Sequence, residues 1–324
     1  MYYNPNAVFR ADLNQYVEEA PYRNKGLIGR EVLPISGVEN RTGHFPRFNR
    51  KDTGLFENRV TERAPSGSYG EVQRTWTDQS YTTKDVGIET PVDDTVQADM
   101  LRFFNLETMN SKLLGEEIVR YHEGLVAAEI MKEGTPASST GFAKNDASTE
   151  YTEANLATFD VPRDFTKVME DMVMEGYKPN TMIMTLTTIN LLKRSPKLQN
   201  YLYPAVSGNT FQRPITNDDI ARAFGVERLL VAEAQKEVSK TRGVSTLGPI
   251  WSNQYIFFGD IKGGDFQAGG VGRTLTWNKE VPNGFFQTFT YRDERHKSNR
   301  IRVSSYFAPH IVDYYAGRLL KLYA

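Results

Sequence analysis

Residues 90–136 read TPVDDTVQADMLRFFNLETMNSKLLGEEIVRYHEGLVAAEIMKEGTP, and the folding of this stretch decides the rest. It opens with the signs of a helix start: Thr90 as a hydroxyl cap, Pro91 where no amide partner is needed, and the Asp93 carboxylate three residues on. Apolar side chains then recur at Val96, Met100, Phe103, Phe104, Leu106, Met109, Leu113, Leu114, Ile118, Tyr121, Leu125, Ala128 and Met131, mostly three or four apart, until Gly134 and Pro136. At ~1.5 Å per residue an unbroken helix here is about 60 Å long, beyond the width of a small domain. Asn105 or Gly115 are the positions where it would divide. A stripe of that length needs a broad cover, and a sheet is the usual one. The stretch is also acidic: Asp93, Asp94, Asp99, Glu107, Glu116, Glu117, Glu123, Glu129 and Glu133 outnumber its basic residues.

Upstream, Thr42 to Thr90 read as two long extended limbs around a turn-rich middle, Ala64-Pro65-Ser66-Gly67-Ser68-Tyr69-Gly70. Neither limb is apolar enough on one face to form a core hairpin. The segment is basic, with Arg47, Arg50, Lys51, Arg59 and Arg63, so hairpin and acidic helix are expected partners, within or between chains. Residues 1–40 scatter aromatic and turn-forming residues with no sustained period and read as an extended arm, lying on its own domain or on a neighbour.

Downstream, residues 135–157 read as a loop. A helix follows from Asp160 to Gly176, then a buried strand from Met182 to Leu186 and a short helix capped by Thr187 or Thr188 and broken before Pro196. Thr216-Asn217-Asp218-Asp219 is a capping box for a helix closed by Gly225. Leu229–Ala232, Gln254–Phe258, Phe285–Tyr291, Ile301–Phe307 and His310–Tyr315 are strand-like, and the Gly-rich run from Gly259 to Gly272 reads as a surface loop. The class is α+β.

The chain has 324 residues, with 39% hydrophobic and 24% charged, the composition of a folded globular protein. Its 39 basic and 40 acidic side chains leave a formal charge of −1, so no protein-wide grip on nucleic acid is expected. With no cysteine, disulfides and thiol chemistry are absent. No secretory signal and no membrane-spanning run is visible, and the expectation is synthesis and use in cytoplasm without membrane contact. His44, His122, His296 and His310 are scattered without ligand spacing, so no metal is expected. Gly269-Gly270-Val271-Gly272-Arg273-Thr274 lacks the spacing of a phosphate loop, no nucleophile elbow occurs, and Trp76, Trp251 and Trp277 form no stacking platform. No catalytic residue and no cofactor is assigned.

The order of parts (arm, long basic hairpin, long acidic helix, helix–strand unit, Gly-rich excursion, returning strands) resembles the major capsid proteins of tailed bacteriophages, the Hong Kong 97-type fold. The helix from Asp93 through Arg120-Tyr121-His122-Glu123 to Gly134 is similar to that family's spine helix. Tyr177-Lys178-Pro179-Asn180-Thr181, Ala223-Phe224-Gly225-Val226 and Phe257-Phe258-Gly259-Asp260 also resemble family segments.

The resemblance implies an N-terminal arm at 1–40, an extended loop at 41–89, a peripheral domain from 90–204 plus 285–324 with its spine helix at 90–134, and an axial domain at 205–284. It implies hexamers and pentamers of this chain closing an icosahedral shell in the virion around double-stranded DNA, which the inner face contacts without sequence specificity. Scaffolding, portal and decoration proteins are implied partners, the scaffold as a separate chain. Inter-subunit contact is expected between Arg47, Arg50, Lys51, Arg59 and Arg63 of the hairpin and Asp93, Asp94, Asp99 and Glu107 of the helix. No crosslink through Lys51 is expected. The alternative readings are an encapsulin-like nanocompartment shell and a β-rich carbohydrate-active or carbohydrate-binding protein.

Overall fold

The computed structural model describes residues 7–19, 26–47, 60, 62–63, 65–71, 77–204, 214–241, 243–264, 269–281 and 284–323. Strand β1 (Val8–Phe9) and helix α1 (Ala11–Glu18) precede helix α2 (Gly29–Val32) and strand β2 (Ile35–Val38). A hairpin of β3 (Thr42–Arg47) and β4 (Thr77–Thr82) leads into β5 (Lys84–Asp93), α3 (Asp94–Met100) and α4 (Leu106–Ile130). After β6 (Ala143–Asp146) come α5 (Val161–Met174), β7 (Thr181–Thr185), α6 (Leu186–Lys193), α7 (Pro196–Leu202), α8 (Asn217–Ala223) and β8 (Arg228–Ala232). Strands β9 (Gln235–Thr241) and β10 (Val244–Pro249) form a second two-stranded ribbon. The chain closes with β11 (Tyr255–Gly259), β12 (Gly272–Trp277), β13 (Gln287–Asp293), β14 (Ser298–Ile311) and β15 (Gly317–Lys321).

Two sheets organise these elements. The first is built on β14, with β13 and β12 along one edge, β5 along the other, β1 beyond β13 and β2 beyond β12. Period-two burial of Ile301, Val303 and Phe307 turns one face of β14 toward α4. The second sheet runs β6-β15-β11-β7-β8. Its strand β7, Thr181–Thr185, is buried at all five positions because it lies between β11 and β8, under helices, as its apolar centre Met182-Ile183-Met184 requires. The expected split of 90–204 plus 285–324 from 205–284 does not follow these sheets. Strands β7 and β15 join β8 and β11, while β12 joins β13 and β14, because the chain passes between sheets after α4, β11 and β14.

Several local expectations change. Thr90, Pro91 and Val92 belong to β5, opposite Ile301, Arg300 and Asn299, and Asp93 is the cap. Pro91 is tolerated there because β5 is an edge strand, where a missing N–H costs no ladder bond. The long helix divides at Asn105, whose side chain accepts from the Glu107 and Thr108 amides at 2.9 and 3.3 Å; Gly115 lies buried inside α4.

The buried face of α4 is Ser111, Leu114, Gly115, Ile118, Val119, His122, Glu123, Val126, Ala127 and Ile130, which leaves Met109, Leu113 and Tyr121 exposed. The described part of residues 1–40 is folded onto its own subunit: α1 buries Leu13 and Val17 beside α4, and Ile28, Val32 and Leu33 are in the core. A short amphipathic turn suffices for this because α4 and β13 supply its cover. The capping box at Thr216 forms as expected, Asp160 caps the helix expected to start there, and Gly176 and Gly225 stand at positive φ after their helices. The helix before Pro196 is capped by Thr185 rather than by Thr187 or Thr188.

Candidate functional site

Among the described residues no group of three or more His, Asp or Glu side chains is placed to hold a metal ion. No helix among them is long and apolar enough to cross a membrane.

The root of the long hairpin is paired and packed. Strands β3 and β4 pair from Thr42 opposite Thr82 to Arg47 opposite Thr77. Phe45 and Tyr81 are buried in a small cluster with Val38, Leu275 and Val312, and His310 meets the Phe45 ring edge-on at 6.1 Å. The Thr83 amide and hydroxyl both donate to the Arg41 carbonyl, at 2.9 and 3.2 Å, and close the base. Beyond it the described loop residues 65–71 are exposed.

Of the expected basic contacts, Arg47 ends β3, and Arg50, Lys51 and Arg59 lie outside the described residues. Arg63 serves its own loop: it donates to the Gly67 carbonyl at 3.2 Å and its guanidinium lies 5.0 Å from the Tyr69 ring centre.

The expected acidic contacts are largely engaged within the chain. Asp93 caps α3, accepting from the Thr95 amide at 2.8 Å. Asp94 receives two bonds of 2.6 Å from Arg292, and this pairing holds its carboxyl below the usual range. Glu107 accepts from the Asn299 side chain at 3.3 Å and lies 3.8 Å from Arg10. Asp99 stands exposed on α3. Beside it, at the elbow between α3 and α4, Val96, Leu101, Phe103 and Phe104 are all exposed, Phe103 at 79%. Large exposed apolar patches are uncommon on folded monomers. The β9–β10 ribbon carries exposed Val238, Val244 and Leu247.

The acidic residue that matters most inside the fold is Glu123, 1% exposed in the middle of α4. Its Oε1 accepts from the Ile28 amide at 3.1 Å and the Trp251 indole N–H at 2.6 Å, and its Oε2 accepts from the Gly29 amide at 2.6 Å. Burial pushes its carboxyl up from the ordinary range, against the pull of those three donors. A Cβ at Gly29 would stand 2.6 Å from Glu123 Oε2, so a side chain there would displace the carboxylate.

The preceding residue, His122, is fully buried between the edges of Phe285 and Phe307, at ring distances of 5.4 and 5.2 Å. Thr274 gives its hydroxyl proton to the Leu33 carbonyl, so His122 Nε2–H must donate to Thr274 Oγ1, at 2.9 Å. This tautomer leaves Nδ1 as a bare lone pair with no partner among the described residues. Burial, aided by Arg30, pushes its pKa down to about 3, so the ring is neutral.

Reading α4 as an acidic solvent face misses both residues. The signal that finds them is their place on the line Val119–Glu123–Ala127 and Ile118–His122–Val126, each step one turn of helix.

No protein-family model matches the chain. The major capsid protein of Burkholderia phage BcepMu is 25% identical over 305 residues, 93% of this chain and 92% of that protein. A phage-related protein from Bordetella bronchiseptica RB50 superposes with a TM-score of 0.69 at 19% identity, covering 97% of both chains. The capsid of a native GTA particle superposes with a TM-score of 0.59 at 12% identity, covering 93% of this chain and 91% of its own. The chain is similar to a phage major capsid protein over nearly its whole length, and its fold is the α+β Hong Kong 97-type capsid fold.

Proposed function

We propose that this chain is the major capsid protein of a tailed bacteriophage, assembling into hexamers and pentamers that close an icosahedral shell around packaged double-stranded DNA. The observation that carries this is end-to-end correspondence with the BcepMu capsid protein, 93% of this chain against 92% of that one, in a fold shared with capsids. In this reading the protein works by assembly rather than catalysis, in the virion after assembly in the host cytoplasm, alongside scaffolding, portal and decoration proteins.

Two lobes replace the division expected from the chain order. The peripheral lobe is the β14 sheet with α1 to α4, and the axial lobe is the β7 sheet with α5 to α8, around which subunits meet in rings. The β3–β4 hairpin reaches a neighbouring copy, Arg47, Arg50, Lys51, Arg59 and Arg63 facing the region of Asp93, Asp94, Asp99 and Glu107. Exposed ion pairs contribute only about 0–1 kcal/mol each. Covering a Phe side chain contributes about 2 kcal/mol. The exposed elbow of Leu101, Phe103 and Phe104 therefore outweighs the charges, which set register and direction.

Negative-stain electron microscopy of the purified full chain tests the reading. Rings, sheets or shells are expected, and a monodisperse monomer at high protein concentration overturns it. Uniform closed shells from this chain alone would remove the need for a scaffold. Deleting residues 55–70 is expected to leave a folded subunit that no longer assembles; normal shells from it would refute the hairpin's role.

A further inference from the structure

The buried side chains of the two lobes fall into separate clusters. One gathers Val92, Ile301, Val303, Phe285 and Phe307 under the β14 sheet; the other gathers Ile183, Phe257, Phe258 and Leu319 of the β7 sheet with Phe165 of α5. Strand β14 runs from one cluster to the other, with Phe307 in the first and Ile311 in the second, and three further segments cross together at one seam. Helix α4 puts Leu114, Ile118 and Val119 in the first cluster and Val126, Ala127 and Ile130 in the second. The N-terminal segment puts Leu27 in the first and Ile28 in the second. The root of the β9–β10 ribbon puts Ala234 in the first and Trp251 in the second, with Ile250 packed against both.

Glu123 sits on α4 at this seam, and its three donors come from the other two segments that cross there: Ile28 and Gly29, 95 and 94 residues away, and Trp251, 128 residues away. A buried carboxylate is a costly way to join surfaces that apolar side chains could seal, but its bonds are directional, whereas apolar contact lets two surfaces slide.

We propose that Glu123, with Ile28, Gly29 and Trp251, is the pivot that sets the angle between the peripheral and axial lobes. Each lobe keeps its own core and sheet, so loosening the pivot changes their relative orientation before it unfolds either one. The use of such a pivot, letting one chain occupy positions of different curvature, rests on the shell reading; the pivot itself does not.

The chain contains no cysteine, so a labelled pair can be placed without background. Glu117→Cys on the peripheral half of α4 and Lys167→Cys on α5 are both at exposed positions. Spin labels on this pair in the full-length chain, diluted into unlabelled chain, report the inter-lobe distance by pulsed dipolar spectroscopy. The expected result is a distribution about twofold broader in Glu123→Gln than in the parent, with far-UV circular dichroism unchanged, and an intermediate width in Trp251→Phe, which removes one donor of three. If Glu123→Gln does not fold, Trp251→Phe alone decides. A parental distribution in a folded variant overturns the pivot. Failure to assemble with a broadened distribution leaves the pivot standing, whereas a monomeric parent with a narrow distribution refutes the shell and not the pivot.

Discussion

Replacing Glu123 by glutamine changes one oxygen to an amide group and almost nothing in shape. The best orientation keeps the glutamine oxygen at the Oε1 position, where two donors converge from Ile28 and Trp251. The new NH2 then faces the Gly29 amide, which stood 2.6 Å from a carboxylate oxygen, and two donors confront each other in a dry site. A bond to a charged group contributes about 1.5–3 kcal/mol, and an unsatisfied buried donor costs about 1–3 kcal/mol. Relief of the buried charge offsets part of this, leaving a net loss of about 2–3 kcal/mol.

Urea unfolding of the unassembled full-length chain, followed by far-UV circular dichroism, measures the loss. Trp251→Phe is expected to cost about 1–2 kcal/mol, and the double variant less than the sum, with a coupling of about 1 kcal/mol between residues sharing one bond. The pH dependence has a definite sign. A carboxyl whose folded pKa is raised lends stability below its unfolded pKa and loses it as pH rises through the folded value. The parent therefore gains on Glu123→Gln as the solution is acidified through that window. A Glu123→Gln variant within about 0.5 kcal/mol of the parent, or strict additivity with Trp251→Phe, would refute the reasoning.

Three further outcomes are expected. His122, at about 3 when folded against 6.5 as the ordinary value, binds its proton preferentially in the unfolded chain, so its contribution is lost as pH falls below 6.5 toward 3. Between pH 7 and 5 the parent should lose about 2 kcal/mol more than His122→Leu in parallel urea titrations, and equal slopes would show that the ring is hydrated. Asn105→Ala removes the cap of α4 and should cost about 1 kcal/mol by the same titration, with no change in the denaturant dependence. Asp99→Lys, at an exposed site, should leave the melting temperature of the subunit unchanged while slowing assembly measured by light scattering, and parental kinetics would remove Asp99 from the interface.

Much of the local structure is written in short stretches. The Thr216–Asp219 capping box, the helix start at Asp160, the apolar stretch from Met182 and the alternation from Ile301 to Phe307 each specify an element through neighbours a few residues away, and the structure has all four, although Leu186 opens the next helix instead of ending the strand. The order of these parts carried the resemblance to capsid proteins, because order survives where individual side chains diverge. What tertiary structure decided is which face of each element is inside.

Pro91 reads as a helix start until β14 claims its strand, and Glu123 reads as a solvated charge until three donors, each more than ninety residues away, converge on it. The same applies to the lobes: β7 and β8 neighbour each other across a sheet although 42 residues, among whose described part are three helices, separate Thr185 from the start of β8 at Arg228. Periodicity reports how a segment is patterned, but the energy of burying a polar group depends on partners the segment does not contain. Local chemistry thus determined the elements, and long-range pairing determined the seam and the carboxylate that holds it.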